Sequence, residues 1–284
     1  MNFWKKIFTA AVLAAVLPQT AEAVVDFNPN RQQKTVGYTS FMDYPPFGVY
    51  NIRKLGYGQS RAEYASIFTN MINDFFQTNS LHPEFIGSTD YSDLVRRVRA
   101  GDIDIIFGIY YGTKIYDGLD YVMPAIIDNP VTIIMLPERV GEIKQLSDLK
   151  KLKGGRFADD RFSDYVNGEL EKLNLLSESD ATEMFKKLYN KKVDYIIASY
   201  YLGVIKASKL GLRSKLSFSK QAIWNMPLFI GVSKASKYHD SLMRSLILYI
   251  EKKENRDKFA RELQDLVRKY EQESQRIVPP VFTE

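Results

Sequence analysis

Few residues in this sequence have the types and spacing that catalysis or metal binding requires. The chain of 284 residues has no cysteine and only two histidines, too few for a recognisable set of metal ligands. No nucleophile elbow, paired-histidine metal helix or phosphate loop occurs. The carboxylate pairs Asp102/Asp104 and Asp159/Asp160 have residue types suited to acid–base catalysis, but spacing alone does not make such a pair. We therefore predict no catalytic residue, no metal and no cofactor.

The stretch ADDRFSDYVNGEL, residues 158–170, contains a candidate anion site. It follows a predicted strand and opens a predicted helix, and the N-terminus of a helix favours negative charge. Arg161 and Ser163 could together hold an anionic group there. In the alternative interpretation an aspartate, Asp159 or Asp160, caps the helix and pairs with Arg161. The sequence leaves both interpretations open.

An aromatic corner follows the first predicted strand, in the stretch FMDYPPFGVYN at 41–51. Proline fixes φ and restricts the residue before it, so the chain must leave the strand as an extended turn that holds the rings of Tyr44 and Phe47 in place. Those rings could fill part of a core or form one wall of a binding cleft.

Two later stretches, VRAGDIDIIFGIYYGT at 98–113 and LYNKKVDYIIASYYLG at 188–203, resemble each other. Each contains a helix end, a short turn, a Val-Asp or Ile-Asp pair, a buried strand and two tyrosines. The tyrosines therefore follow the carboxyl ends of strands, where ligands bind in open α/β sheets. They are Tyr110, Tyr111, Tyr200 and Tyr201.

Short apolar strands alternate with amphipathic helices along the chain, which is typical of an α/β fold with largely parallel sheets. The predicted strands are 36–40, 84–87, 103–109, 131–136, 156–158, 193–198 and 228–232. Segment 62–78 predicts a helix with Ala65, Phe68, Ile72 and Phe75 on one stripe. Segment 92–99 predicts a second helix, and 237–273 predicts a charged helical end of the chain.

The N-terminus predicts export. Lys5 and Lys6 precede an apolar run at 7–17, and Ala21-Glu22-Ala23 fits a cleavage site, so we expect residues 1–23 to be a signal peptide. No later run approaches the roughly 20 apolar residues that span a bilayer, and without cysteine there is no lipoprotein anchor. We expect a soluble periplasmic protein. The formal charge of +5 is small and dispersed, which argues against a nucleic-acid partner.

Several motifs, in this order, resemble those of the family 3 periplasmic solute-binding proteins, best known as the amino-acid receptors of ABC importers. They are the Pro-Pro-Phe turn at 45–47, the helix, turn and strand at 91–113 that lead to a threonine loop, the segment LDYVMPAI at 119–126, the stretch 143–158, and the Val-Asp strand at 193–199. The resemblance implies a two-lobed type II periplasmic-binding-protein fold. Each lobe would be a mostly parallel sheet flanked by helices, with the ligand in the cleft between the lobes.

The resemblance also assigns roles to individual residues. Tyr44 and Phe47 match the aromatic residues that flank the ligand, and Thr113 matches the threonine that hydrogen-bonds a ligand carboxylate. The family places an arginine three residues after this threonine and an aspartate five residues after the Val-Asp pair, whereas this sequence has Tyr116 and Ser199.

Both charged clamps for an amino acid are therefore missing, and each buried ligand charge would need a partner. This argues that the ligand is not an ordinary free α-amino acid. The predicted ligand-binding residues are Tyr44, Phe47, Tyr110, Tyr111, Thr113, Tyr116, Arg161, Ser163, Ser199, Tyr200 and Asn225.

We expect a non-enzymatic, monomeric binding protein that closes on a small molecule, with an inner-membrane ABC permease as partner. Lobe 1 is predicted to comprise 24–129 and 226–284, and lobe 2 to comprise 130–225. Two alternatives remain open: a periplasmic enzyme similar to cyclohexadienyl dehydratase, which has this fold, and a ligand-sensing or accessory protein that is not coupled to import.

Overall fold

The computed structural model describes residues 34–41, 43–54, 60–88, 90–143 and 145–282. The predicted signal peptide lies outside the described residues. The strands are β1 Thr35–Ser40, β2 Asp43–Tyr44, β3 Gly48–Lys54, β4 Ser60–Ala65, β5 His82–Phe85, β6 Ile105–Tyr110, β7 Leu119–Met135, β8 Gly154–Phe157, β9 Leu175–Glu178, β10 Tyr195–Ser199, β11 Ser217–Phe218 and β12 Trp224–Ser233. The α-helices are α1 Thr69–Thr78, α2 Tyr91–Ala100, α3 Leu146–Leu149, α4 Asp164–Leu170, α5 Ala181–Tyr189, α6 Tyr200–Lys209, α7 His239–Glu251 and α8 Lys253–Ser274.

A single mixed sheet forms the frame, with strand order β5-β1-β6-β12-β7-β10-β8-β9 and β11 pairing with β7. Strands β5, β1 and β6 pair in parallel and form what we call the first half. Strands β10, β8 and β9 also pair in parallel and form the second half. The long strands β7 and β12 run antiparallel to each other between the halves. This arrangement confirms the predicted α/β class.

The aspartates of the two similar stretches accept equivalent hydrogen bonds in the two halves. Asp104, before β6, accepts a hydrogen bond from the Gly37 backbone N–H of β1 at 2.9 Å. Asp194, before β10, accepts one from the Lys153 backbone N–H, next to β8, at 2.8 Å. Each carboxylate therefore ties the start of one parallel strand to its neighbour. The repeated aspartates belong to the framework rather than to a binding site.

The helix around 92–99 forms as predicted, because both of its ends carry capping residues. Asp90 accepts a hydrogen bond from the Ser92 backbone N–H at 2.8 Å, and Gly101 ends the helix with φ of +84°. Only glycine adopts this conformation without strain. A Cβ atom at Gly101 would also lie 2.7 Å from the carbonyl oxygen of Ala235.

The helix predicted over 62–78 begins later than expected. Ala65 lies in β4, and α1 begins at Thr69. Strands β2, β3 and β4 form a separate antiparallel sheet, whose pairings take up the backbone of this segment. The Ser66 hydroxyl accepts a hydrogen bond from the Phe68 backbone N–H at 3.1 Å just before the helix. Phe68, Ile72 and Phe75 are buried, as the stripe predicted.

The C-terminal region forms α7 and α8, and the apolar residues Leu242, Leu246, Tyr249 and Ile250 of α7 are all buried. Phe259 of α8 stacks on Phe68 with ring centroids 5.2 Å apart, which fastens this helix beside the aromatic corner. Within the described ranges, no helix combines the length and apolarity needed to cross a bilayer.

Candidate binding cleft

The carboxyl ends of two parallel strands in each half bring polar side chains from both halves together. Tyr44 follows β1 and Tyr110 ends β6 in the first half, whereas Asp160 follows β8 and Ser199 ends β10 in the second half. The crevice at such strand ends is where open α/β sheets bind ligands. All four side chains are almost completely buried, between 0% and 3% exposed.

The phenol of Tyr44 is the centre of this cluster. Its oxygen lies 2.8 Å from Asp160 Oδ1 and 2.6 Å from Ser199 Oγ in the second half. It lies 3.2 Å from the Tyr110 hydroxyl of the first half, and Asn129 Nδ2 of β7 donates to it at 3.3 Å. One side chain therefore holds hydrogen bonds to both halves. That Tyr44 forms one wall of a ligand cleft stays a prediction, and the structure shows its phenol in contact with both halves.

The Asp160 carboxylate is built into the second half. The Ser199 backbone N–H donates to Oδ2 at 2.6 Å, and the Ser199 hydroxyl donates to Oδ1 at 2.5 Å. Burial raises the pKa of the Asp160 carboxyl from 3.8 to about 6, although the hydrogen bonds from Ser199 and Tyr44 act in the opposite direction. A buried acid with such a pKa is a marker of functional sites.

The number of protons available to the cluster favours a protonated Asp160, as its burial does. The oxygens of Tyr44, Ser199 and Asp160 form a triangle with sides of 2.8, 2.6 and 2.5 Å. Each side needs one proton to be a hydrogen bond, but the two hydroxyls supply one proton each. Ionised Asp160 leaves one side without a proton, whereas protonated Asp160 completes the triangle. Closure of the cluster therefore favours uptake of a proton.

Three further phenols around the cleft are kept neutral. Burial raises the pKa of Tyr110 and of Tyr91 above the ordinary tyrosine value. Asn129 Nδ2 donates to the Tyr110 hydroxyl at 2.8 Å. The Tyr91 hydroxyl lies 2.7 Å from the hydroxyl of Tyr116, whose pKa burial raises to about 12. At neutral pH these groups act as hydrogen-bonding hydroxyls and not as charges.

Arg161 is the cation at this site. Its guanidinium lies 4.4 Å from the centre of the Tyr91 ring and 5.7 Å from that of Phe41. Its charge also acts against the pKa increase at both Tyr91 and Tyr116, which places it beside the first half. Among the described residues, Arg161 forms no ion pair, and its Nε atom is buried without a hydrogen-bond partner.

The loop after β6 approaches the same region. The Lys114 backbone N–H donates to the Asp164 carboxylate of α4 at 2.9 Å, so this loop of the first half is tied to the helix that follows Arg161. In the described part of the chain, the Thr113 hydroxyl oxygen is buried and has no hydrogen-bond partner. Thr113 and Arg161 thus each bring an unused polar atom to one region of the cleft.

The capping alternative for Arg161 is wrong. Ser163 caps α4 by accepting a hydrogen bond from the Val166 backbone N–H at 3.4 Å. Asp159 pairs with Lys206 at 2.8 Å, and Asp160 is engaged with Ser199 and Tyr44 as described above. Neither aspartate is therefore available to cap the helix while pairing with Arg161. The Ser163 hydroxyl itself serves the helix.

The remaining predicted residues lie around the cluster or apart from it. Phe47 is buried and packs on Tyr44, with ring centroids 5.7 Å apart. Tyr111 is 62% exposed and packs beside Tyr121 and Phe229. Tyr200 is half-buried against Tyr201 and Phe218. Asn225 is exposed on β12 opposite Pro130. Of these four, the structure brings only Phe47 to the Tyr44 ring.

Sequence reasoning missed several members of the cluster. Asp160 was considered only as a helix cap or acid–base residue, and Asn129, Tyr91 and Phe41 were not considered. The position of Asp160 just after β8 was an available signal, since it follows a strand in the second half as Tyr44 does in the first. Asn129 carried no local signal, because its role depends on the pairing of β7 with β12.

Similarity to known proteins is visible in the structure. No protein-family model and no curated protein matches the sequence. The GluR0 ligand-binding core in complex with L-glutamate matches with a TM-score of 0.61 and 12% identity, covering 82% of this chain and 99% of that one. An amino-acid ABC transporter substrate-binding protein from Streptococcus pneumoniae, bound to L-arginine, gives 0.58 and 16%, covering 82% and 94%.

A third similar structure is related to an enzyme. The ancestral amino-acid-binding protein AncCDT-1, a precursor of cyclohexadienyl dehydratase, has a TM-score of 0.56 and 16% identity and covers 81% of this chain and 94% of that one. Identities this low carry information about the fold alone. The strand order, the long β7 and β12 strands and these likenesses together show that the chain has the two-lobed type II periplasmic-binding fold.

Proposed function

We propose that the chain is a periplasmic solute-binding protein that captures a small molecule between its two halves by hinge closure and delivers it to an ABC importer. The fold supports the binding role, because binding proteins are among the structural neighbours. The proposed hinge is the β7–β12 pair. The predicted lobe boundaries, 129/130 and 225/226, lie opposite each other there, since Asn129 pairs with Met226 and Pro130 with Asn225.

The observation that carries the proposal is Arg161, which forms no ion pair with any described residue. Its side chain is only partly buried, but its Nε–H is removed from water, and a buried donor is costly unless an acceptor compensates it. The Tyr91 ring at 4.4 Å compensates part of this cost, because an aromatic face attracts a cation. The buried Nε of Arg161 and the buried hydroxyl of Thr113 still have no acceptor or donor among the described residues. An anionic group on the ligand would supply an acceptor to the Nε–H of Arg161 and to the hydroxyl of Thr113.

A ligand other than an ordinary α-amino acid fits this arrangement better. The only carboxylate that the described structure places in the cluster belongs to Asp160. Its oxygens already accept from the Ser199 backbone N–H, the Ser199 hydroxyl and the Tyr44 phenol. An α-ammonium group would have to displace these donors, whereas a small acid without an ammonium group would need only Arg161 and Thr113.

A broad screen tests the proposal. The purified protein is melted with a panel of small metabolites, and any ligand retained on purification is identified by mass spectrometry. Binding to the folded state alone stabilises it by about 2.7 kcal/mol at a hundredfold excess over Kd, which corresponds to about 5–10 °C in Tm for a chain of this size. We expect at least one acidic compound to reach this shift. A complete absence of shifts and of retained ligand would contradict the proposal.

One observation favours a second candidate, an enzyme similar to cyclohexadienyl dehydratase. The carboxyl of Asp160 has a pKa raised to about 6 by burial, which suits a general acid near neutral pH. AncCDT-1 supports this candidate as a neighbour with the same fold. Incubation with prephenate or arogenate, followed by detection of aromatic products, decides between the two. Turnover that is lost in Asp160→Asn would establish the enzyme.

A further inference from the structure

The Tyr44 side chain fills a slot that is shaped and hydrogen-bonded like a ligand site. Its ring is fully buried and packs against Phe41 and Phe47, at centroid distances of 5.0 and 5.7 Å. Its hydroxyl meets polar groups that come from different elements of both halves. A cleft wall would present the face of its ring to a ligand. This residue instead places its polar tip where the two halves meet.

The polar end of the slot matches a neutral hydroxyl group. A phenol has one donor and two acceptor positions. Asp160 Oδ1, when ionised, can only accept, and Asn129 Nδ2 can only donate. The hydroxyls of Ser199 and Tyr110 can do either. A group with no donor would leave the Asp160 carboxylate short of a partner, and an anionic group would face it with a like charge.

The same contacts join the two halves. The Tyr44 hydroxyl bonds to Asp160 and Ser199 on one side and to Tyr110 on the other, which is the work that a bound ligand does in a cleft protein. Any external ligand that reaches these groups must first displace the phenol, and the energy of the lost contacts reduces its apparent affinity.

We propose that Tyr44 is a built-in occupant of a phenol-binding slot formed by Asp160, Ser199, Tyr110 and Asn129, and that external ligands with a hydroxyaryl group compete for it. The competition by external ligands rests on the proposed binding function. The slot itself does not, because it is defined by the contacts of the Tyr44 side chain. With Arg161 nearby as the anion contact, the ligand class becomes small hydroxyaryl acids.

The slot is tested by removing its occupant and returning the same group as a free molecule. Tyr44→Ala leaves a cavity the size of a phenol, because alanine keeps the Cβ atom, and p-cresol is that phenol with one additional methyl group. Toluene has the same ring and methyl group but no hydroxyl. Tm is measured for wild type and Tyr44→Ala with each compound. Phe47→Ala is the matched control, since it opens an adjacent ring-sized cavity at a fully buried phenylalanine.

We expect p-cresol to raise the Tm of Tyr44→Ala by several degrees in a saturable manner and to leave wild type unchanged, with toluene giving less than half the shift. In Phe47→Ala the two compounds should act alike. Equal shifts with p-cresol and toluene in Tyr44→Ala, or none with either, would overturn the proposal. If Tyr44→Ala does not fold alone, recovery of cooperative melting with p-cresol but not with toluene supports the slot, and no recovery refutes it.

This experiment separates the slot from the proposed binding function. The slot requires no natural ligand, so rescue by p-cresol can succeed even if the metabolite screen finds nothing. Conversely, the screen can identify an acid that binds at Arg161 while p-cresol fails. The preference of the slot for a hydroxyl group is then measured with 4-hydroxybenzoate and benzoate. We expect 4-hydroxybenzoate to bind Tyr44→Ala with at least tenfold higher affinity than benzoate. Equal affinities would contradict recognition of the hydroxyl group.

Discussion

Replacing Asp160 by asparagine should remove a specific part of the pH dependence of stability. The raised pKa gives the sign. Below about pH 4 the carboxyl is protonated in both the folded and the unfolded chain, so its contribution to stability is fully present. As pH rises, the unfolded carboxyl ionises near 3.8, whereas the folded one stays protonated until about 6. Stability is therefore lost as pH rises through the folded pKa.

The magnitude follows from the size of the shift. One pKa unit corresponds to 1.36 kcal/mol, so a shift of about two units gives a total loss of about 3 kcal/mol, of which about 2 kcal/mol falls between about pH 4 and about pH 7. Asparagine is the same size and does not titrate. Its amide oxygen can accept a hydrogen bond from Ser199, and its NH2 group can donate to the hydroxyl oxygens of Ser199 and Tyr44. Each hydroxyl can rotate so that it accepts this hydrogen bond where it donated one to the carboxylate.

The assay is urea unfolding of wild type and Asp160→Asn at a series of pH values across this range. Groups that titrate in both proteins cancel, so the difference between the two free energies of unfolding reports Asp160 alone. We expect wild type to lose about 2 kcal/mol relative to the variant as pH rises from about 4 to about 7. Two parallel curves would refute the burial and proton-count argument for this carboxyl.

Three further outcomes are expected. Tyr44→Phe should lower the free energy of unfolding by about 1–3 kcal/mol in urea melts, because it removes the hydrogen bonds that the phenol makes with Asp160, Ser199 and Asn129; a loss below about 0.5 kcal/mol would mean that the bridging contacts do not stabilise the fold. Gly101→Ala should cost at least about 1–3 kcal/mol at a φ of +84°, whereas its control Gly168→Ala, in a helix with open space around it, should be neutral or stabilising. Asp194→Ala should cost about 1.5–3 kcal/mol by removing its hydrogen bonds from the Arg139 guanidinium and the Lys153 backbone N–H, while ligand affinity stays unchanged; a large loss of affinity would assign Asp194 to the site.

Local patterns predicted most of the fold because each reports on neighbours in sequence. The glycine at 101 marks the end of α2, and the Val-Asp and Ile-Asp pairs mark the strands that follow them. The small sheet β2-β3-β4 was not predicted, since its pairing between 48–54 and 60–65 depends on a hairpin that the apolar pattern does not reveal. Ala65 was placed in the following helix for the same reason.

The sequence indicated part of the candidate site by three different signals. Tyr110 was selected because it follows a predicted strand, Tyr44, Thr113 and Ser199 because of the family resemblance, and Arg161 because it precedes a predicted helix. In the structure these five residues end or follow β1, β6, β8 and β10, and their role in ligand binding stays a prediction. The role of Tyr44 as an occupant was not predictable, because it depends on hydrogen bonds to residues more than 60 positions away in the sequence. Side-chain packing across the two halves decides whether a ring forms a wall or fills the space.

The most direct test of the proposed anion-binding cleft compares wild type with Arg161→Met against a panel of small carboxylic acids that includes benzoate and 4-hydroxybenzoate. Lys206→Met is the control, since it removes a cation of the second half that is already paired with Asp159. We predict that at least one acid raises the Tm of wild type and of Lys206→Met by about 5 °C or more at saturating concentration and leaves Arg161→Met unchanged. Equal shifts in all three proteins, or no shift in any, would contradict the central claim that Arg161 binds an anionic ligand in the cleft.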